Sequence, residues 1–286
     1  MQLIIQGADI QTGDLKTLAK VAGASGIEQI SSVAFRLRDV LSSGVTPEIA
    51  SICERARLDV ALIPEDRRLA DFRLLVMDMD STLITIETID ELADLVNLKP
   101  QVAKITGQAM RGEIEYNESL QRRVALLKGL DEGALKQVYD ERLKLSPGAE
   151  ILLAAAKKHN LKTLLVSGSF THVTELLKPR LGLDYTYANT LGVANGKLTG
   201  EVIGRIVNAD AKRDELLRVS ALLGITKEQI IGMGDGANDL KFMAECGVSI
   251  AYHAKPIVRG QTTHAINFGG LDAAVNFFNG SPRQSP

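Results

Sequence analysis

The sequence predicts an α/β protein. It has a doubly wound parallel-sheet core, a helical lid inserted after the first core strand, and a small N-terminal α+β domain. Three observations predict this. From Arg73 onward, short apolar runs alternate with helical segments, the pattern of a parallel sheet covered on both faces. Residues 87–145 break that alternation and read as helices only. Residues 1–70 carry their own mix of strand and helix signals, closed by the charged run Glu65 to Arg68.

In the N-terminal unit, Gln2 to Gln6 reads as a strand. Asp14 to Ala22 has helical spacing through Leu15, Leu18, Ala19 and Ala22. Val33 to Leu37 alternates like a half-buried strand, Thr46-Pro47 suits a helix start, and Asp59 to Ile63 is a third strand. No cluster of reactive side chains occurs here. The unit is expected to pack on the core or to join two copies as a homodimer.

The core strands are expected at Leu74 to Met77, Lys162 to Val166, Gln229 to Met233, Val248 to Tyr252 and Ala265 to Asn267. Ser146-Pro147 is expected to open a helix, with serine as cap and proline next. Gly247 is expected to end the helix that begins near Asn238. Asn195-Gly196 between two β-like runs signals a hairpin, at an edge of the sheet or beside it. In the helical insertion, Ile89, Leu92, Ala93 and Val96 recur on one face, as do Leu120, Val124 and Leu127. A helical insertion at this point reads as a lid that excludes water and chooses the substrate.

The chemistry gathers at strand ends, where open α/β sheets bind ligands. LLVMDMDSTL ends an apolar strand in Asp78 and Asp80, two residues apart, which places both carboxylates on one side if the extended backbone holds that far. Such a pair repels itself, and a divalent cation, Mg²⁺ by its preference for oxygen, would stabilise it. Ser167-Gly168 follows LKTLLV, and Asp235, Asn238 and Asp239 follow QIIGM. Lys212 lies near the start of a helical segment with Leu216, Val219 and Leu223. Taken singly, each has a plainer reading: a capped strand, a turn at Ser167-Gly168-Ser169, a helix cap in GDGAND, a solvated surface lysine. Their joint occurrence around one crevice favours chemistry. Asp78, Asp80, Asp235 and Asp239 would bring four negative charges, against three positive from one Mg²⁺ and Lys212. A phosphate ester adds more negative charge, so Asp80 is suited to hold a proton for a leaving alcohol and Asp78 to attack phosphorus.

This order of motifs, spanning about residues 73–252, resembles the haloacid dehalogenase-like (HAD) phosphatases. The resemblance is closest to the members that hydrolyse phosphoserine. It extends through DMDSTLITIETIDELA and AMRGEIEYNESLQRRVALLKGL. It implies a HAD-like catalytic core at 71–86 and 146–286, a helical lid at 87–145 and an N-terminal domain at 1–70. It implies Asp78 as nucleophile and Asp80 as acid/base. Mg²⁺ would be held by Asp78, the Asp80 backbone carbonyl and Asp235, with Asp239 in support. Ser167, Gly168 and Lys212 would bind phosphate, Lys212 also acting in catalysis. Glu87, Arg123 and Asn238 would contact substrate, with Met110 and Tyr116 lining the lid. The family often has phenylalanine where Tyr116 stands, which keeps an aromatic wall. The implied reaction takes O-phospho-L-serine to L-serine and phosphate, the last step of serine biosynthesis.

Composition bounds the alternatives. The 286 residues are 45% hydrophobic and 24% charged, ordinary for a globular chain with a sizeable core. A formal net charge of -2 gives no footprint for nucleic acid. No apolar run is long enough for a membrane span. MQLIIQGADI lacks the features of a signal peptide, so the expected location is the cytoplasm. Cys53 and Cys246 are far apart and His159, His172, His253 and His264 form no ligand pattern, so none is expected to bind metal. The tail GSPRQSP is expected to be frayed. The competing functions are a phosphatase for another small phosphorylated metabolite and a non-catalytic phospho-ligand sensor. A receiver domain is disfavoured because it lacks a helical insertion after its first strand.

Overall fold

The computed structural model describes residues 1–279, so the tail 280–286 lies outside the described residues. The N-terminal unit contains strands β1 (Gln2–Gln6), β2 (Gly26–Ser31), β3 (Ala34–Arg38) and β4 (Asp59–Ile63), with helices α1 (Thr12–Ala22) and α2 (Pro47–Ala56). The strands form one antiparallel sheet in the order β2-β3-β1-β4. Thr46 caps α2 as the sequence predicts, its hydroxyl accepting from the Ile49 N–H at 3.3 Å. β2 went unpredicted because none of its residues is buried and Ile27 is 44% exposed, so no buried-face pattern marks it.

Alternation decides what each face of this sheet does. Leu3 and Ile5 pack under the two helices with Leu18, Leu37 and Ile49. Ile4, Ala61 and Ile63 point the other way, into the main core. A polar seam completes the junction. The buried Asp59 carboxylate accepts the backbone N–H groups of Asn267 (2.6 Å), Phe268 (3.2 Å) and Gly269 (2.8 Å). Nearby, the Asn276 amide donates to Gln6 Oε1 at 2.8 Å.

The main sheet has seven strands: β5 (Leu74–Met77), β6 (Lys162–Phe170), β7 (Tyr185–Ala194), β8 (Lys197–Ile203), β9 (Ile230–Gly234), β10 (Val248–Tyr252) and β11 (His264–Ile266). Their order is β11-β10-β9-β5-β6-β7-β8, parallel throughout except for the β7–β8 hairpin at the edge. Asn195 (φ 53°) and Gly196 (φ 73°) make that hairpin's turn. β5 is buried on both faces. Leu74 and Val76 pack against α9 (Ala209–Leu223) and α10 (Leu240–Met243) through Leu216, Val219 and Phe242. Leu75 and Met77 lie opposite, in one cluster with α7 (Ala149–Lys158) and α8 (Thr171–Leu181). Burying each large side chain in this way is worth roughly 1.5–3 kcal/mol.

Between β5 and β6 the chain forms α3 (Thr88–Asp94), α4 (Lys99–Met110), α5 (Tyr116–Ala125) and α6 (Gly133–Glu141). Ile89, Leu92, Leu120, Val124 and Leu127 close the lid's own core, which seats on Phe170, Leu191 and Leu198 of the main sheet. Val96 does not join it. α3 ends at Asp94, and Val96 is left 37% exposed.

Two further expectations at helix ends need correction. The helix after Ser146-Pro147 starts at Ala149, behind Gly148 at φ 78°, because the Pro147 carbonyl is taken by the Leu271 N–H at 2.7 Å. Gly247 does not end a helix. α10 stops at Met243, and the Gly247 N–H donates to the Lys227 carbonyl at 2.7 Å.

The seam yields a prediction. Asp59→Ala leaves three half-buried backbone donors without their acceptor, so unfolding stability falls by roughly 1–2 kcal/mol in a denaturant titration. An unchanged midpoint would show that the seam does not hold the N-terminal sheet to the core.

Candidate active site

β5 lies between β9 and β6, and the chain leaves it in one direction to β6 and returns on the other side in β9. A crevice opens at the carboxyl ends of neighbouring strands where the winding reverses in this way. Asp78, Ser167 and Asp235 sit at those ends. The ladder runs one residue past β5, with the Asp78 N–H donating to the Met233 carbonyl at 3.0 Å. The backbone then turns, with Ser81 at φ 57°. The regular strand ends before Asp80, and the two carboxylates have different hydrogen-bond partners.

Lys212 is not a surface lysine. It is 1% exposed, and its ammonium reaches Asp78 Oδ1 and Asp239 Oδ1, each at 2.8 Å. Burial alone would lower its pKa, but Asp239 and Asp78 hold it above the ordinary lysine value. Asn208 caps α9 by accepting the Ala211 N–H at 3.0 Å, which fixes the turn that carries Lys212. Asp239 is fully enclosed, and its second oxygen accepts the Gly236 N–H at 3.1 Å. Asp78 Oδ1 also accepts the Met79 N–H at 2.7 Å, which leaves Oδ2 without a hydrogen bond among the described residues.

One oxygen from each of Asp78, Asp235 and Asp239 lies within 4.8 Å of the others. Asp235 Oδ1 accepts the Thr82 hydroxyl at 3.1 Å. Burial, Asp78 and Glu87 push its carboxyl up to about 7. Burial is the largest cause of that shift, and the neighbouring carboxylates add to it, a repulsion that a cation relieves.

Asp80 belongs to another group. Its Oδ2 accepts the Thr88 N–H and its Oδ1 the Thr88 hydroxyl, both at 2.9 Å. Burial raises this carboxyl well above the usual carboxylate range, Glu87 and Asp78 add to the push, and the Thr88 N–H opposes it. Glu87 stands at the rim, exposed to water, and accepts the Ser81 hydroxyl at 2.6 Å. Crowding raises its carboxyl and the Ser81 bond opposes the shift, while access to water weakens both effects.

Ser167-Gly168-Ser169 is not a turn. It is the last part of β6, where the pairing with β7 slips between Val166 and Phe170. The Ser169 N–H donates to Ser167 Oγ at 2.9 Å. The lid touches the core here, since a β-carbon at Gly168 would collide with the Tyr116 hydroxyl. Burial raises the Tyr116 phenol, so it stays neutral. Tyr116 and Arg123 share α5, as their seven-residue spacing suggests, and both are half-buried. Arg123 Nε donates to the Ser119 carbonyl at 3.4 Å, and its two terminal nitrogens have no partner among the described residues. Asn238 lies beside Asp239, its amide donating to Oδ1 at 3.4 Å. Met110 ends α4 and is 68% exposed. Sequence reasoning missed Thr82, Thr88 and Asn189. Thr82 follows the aspartates directly and was open to notice. Thr88 and Asn189 acquire partners only through the fold.

Residues 75–244 match the family described as haloacid dehalogenase-like hydrolase, and residues 3–48 match a domain of unknown function, DUF4072. The chain is 52% identical to the phosphoserine phosphatase of Albidiferax ferrireducens over 216 residues, 74% of this chain and 91% of that one. A solved structure of a probable phosphoserine phosphatase from Vibrio cholerae, unliganded, superposes with a TM-score of 0.82 at 34% identity, covering 96% of this chain and 85% of that one. Another solved structure, a phospho-aspartyl intermediate analogue of phosphoserine phosphatase, superposes with a TM-score of 0.68 at 36% identity, over 73% of this chain and 99% of the other. The chain belongs to the haloacid dehalogenase-like hydrolases and, within them, to the phosphoserine phosphatases.

Proposed function

We propose that this chain hydrolyses O-phospho-L-serine to L-serine and phosphate in the cytoplasm, as the last step of serine biosynthesis, through an aspartyl-phosphate on Asp78. The observation that carries the reading is the asymmetry of Asp78. Lys212 and the Met79 N–H hold one oxygen, and the other has no hydrogen-bond partner among the described residues. A carboxylate steadied at one oxygen is oriented for attack with the other. The phospho-aspartyl analogue of a relative that shares the fold supports the same route.

In the first step Asp78 Oδ2 bonds to phosphorus as the bond to the serine oxygen breaks, and Asp80 delivers its proton to that oxygen. In the second step Asp80 takes a proton from water, the water oxygen bonds to phosphorus, and the Asp78 carboxylate is released. The raised carboxyl of Asp80 suits a group that must hold a proton near neutral pH. Lys212 and Ser167, with the backbone at Gly168, bind the phosphoryl oxygens.

The donor set fits Mg²⁺, because hard oxygen ligands with surplus negative charge converge at Asp78 and Asp235. These two, with the Asp80 backbone carbonyl, would hold the ion. Asp239, committed to Lys212 and Gly236, stands behind them. When bound, the cation offsets charge on the phosphoryl oxygens. Arg123 clasps the substrate carboxylate with its free nitrogens, Glu87 meets the ammonium, Asn238 contacts the substrate, and Tyr116 and Met110 belong to the lid wall. In domain terms, 71–86 and 146–286 carry the chemistry, 87–145 selects substrate, and 1–70 supports the core, with a homodimer as its further role.

Three outcomes test this. Asp78→Asn lowers turnover by several orders of magnitude while the fold survives, and phosphate trapped on the wild type is found on Asp78. Label on any other residue would refute the mechanism. Arg123→Ala raises KM for phosphoserine by roughly 2 kcal/mol in binding and leaves p-nitrophenyl phosphate, which has no carboxylate, nearly unchanged. Equal losses for both substrates would make Arg123 structural.

The third outcome is a pH dependence. The Asp235 carboxyl titrates at about 7 when folded, against an ordinary value of 3.8. Its contribution to stability is therefore complete below pH 3.8 and lost as pH rises through 7. In metal-free protein, Asp235→Asn raises the thermal midpoint at pH 8, and the gain fades toward pH 4. Mg²⁺ stabilises the wild type at pH 8 and not the variant. A variant that still responds fully to Mg²⁺ would remove Asp235 from the metal site.

A further inference from the structure

Asn189 lies in β7, is 1% exposed, and has no part in the chemistry above. Its side chain is tied to backbone at both ends. Nδ2 donates to the Gly168 carbonyl at 2.7 Å, and Oδ1 accepts the Val207 N–H at 2.8 Å. A carbonyl only accepts and an N–H only donates, so these partners fix which way the amide faces. They belong to two different segments of the phosphoryl site. Gly168 stands between Ser167 and Ser169, and Val207 precedes Asn208, the cap of the helix that carries Lys212.

The Gly168 carbonyl and the Ser169 N–H share one planar peptide unit and point in opposite directions. Asn189 holds the carbonyl end. The N–H end donates to Ser167 Oγ. That bond fixes the direction of one lone pair of the oxygen and so steers the hydroxyl hydrogen away from it; the hydrogen has no acceptor among the described residues. On the other arm, the Val207 bond sets the entry to α9, where the Lys212 N–H donates to the Asn208 carbonyl at 2.9 Å.

We propose that Asn189 is a positioning residue for phosphoryl transfer. Through the Gly168–Ser169 peptide it orients the Ser167 hydroxyl to donate to the phosphoryl group, and through Val207 it sets the reach of Lys212. This rests on the reading of Ser167 and Lys212 as phosphoryl ligands. Because neither hydrogen bond of Asn189 is made to Glu87, Arg123 or Asn238, the groups proposed to meet the amino-acid part of a substrate, its removal is expected to affect every phosphomonoester alike.

The test uses the full chain with Mg²⁺ and compares Asn189→Ala, Asn189→Ser, Ser167→Ala and the doubles. The readouts are kcat, KM, the inhibition constant of inorganic phosphate and the thermal midpoint. Each Asn189 variant is expected to lower kcat/KM about tenfold, the scale of one lost neutral hydrogen bond, for phosphoserine and p-nitrophenyl phosphate equally. Phosphate inhibition weakens by a similar factor. In the Ser167→Ala background the same change costs clearly less than in the wild type, because one of the two groups it acts through is gone and only the Lys212 arm remains. If Asn189→Ala does not fold, Asn189→Ser carries the comparison. A lower thermal midpoint with wild-type kcat and phosphate inhibition, or full additivity with Ser167→Ala, overturns the proposal. Loss in Ser167→Ala without loss in the Asn189 variants sinks this inference alone. Wild-type phosphate inhibition in Ser167→Ala sinks the reading of Ser167 and this inference with it.

Discussion

The site depends on one buried ion cluster. Lys212 brings an ammonium into a space closed to water, where it meets Asp78 and Asp239 at equal distance. Charges taken out of water cost several kcal/mol each, and only close, well-directed partners offset that cost. The cluster is therefore an all-or-none arrangement. Without the ammonium, two carboxylates would face each other in a low-dielectric pocket. With it, the end of β5, the start of α9 and the loop after β9 are pinned to a common point, and Asp78 keeps a single oxygen free.

Around that point the polar groups divide the work. Asp239 spends both oxygens on Lys212 and the Gly236 N–H, so it is a fixed wall. Asp80 is gripped twice by Thr88, at the entrance of the lid, so the proposed acid is oriented by the element that covers it. Asp235 keeps unbalanced charge. The lid's two connections run side by side. The Thr85 N–H donates to the Lys144 carbonyl at 3.0 Å, and the Ser146 N–H to the Leu83 carbonyl at 2.9 Å. The helical insertion thus enters and leaves at the carboxyl end of β5, and Tyr116 approaches Gly168.

The N-terminal sheet contributes no charged group to this arrangement. It closes the far side of the core with Ile4, Ala61 and Ile63 and is fastened by Asp59 to the chain after β11.

The class of the fold and most of its elements were legible locally, β2 being the exception. β5 reads as buried because LLVM must satisfy two apolar faces, the hairpin because Asn195-Gly196 accepts positive φ, and the lid because its apolar residues recur at helical spacing. The strand-end acids were legible for the same local reason: polar residues stop an apolar run. Only the tertiary structure decided what those acids bond. Lys212 looks like any lysine on an amphipathic helix until α9 packs on the sheet and removes it from water. Asp78 and Asp80 look like a matched pair, yet in the fold one bonds Lys212 and the other Thr88. Asn189 carries no local signal, because its two partners lie 21 and 18 residues away and meet it only when β6, β7 and the approach to α9 are assembled. Propensity and periodicity act over a few residues, whereas a buried hydrogen bond is chosen by whichever backbone groups the packed fold leaves facing it.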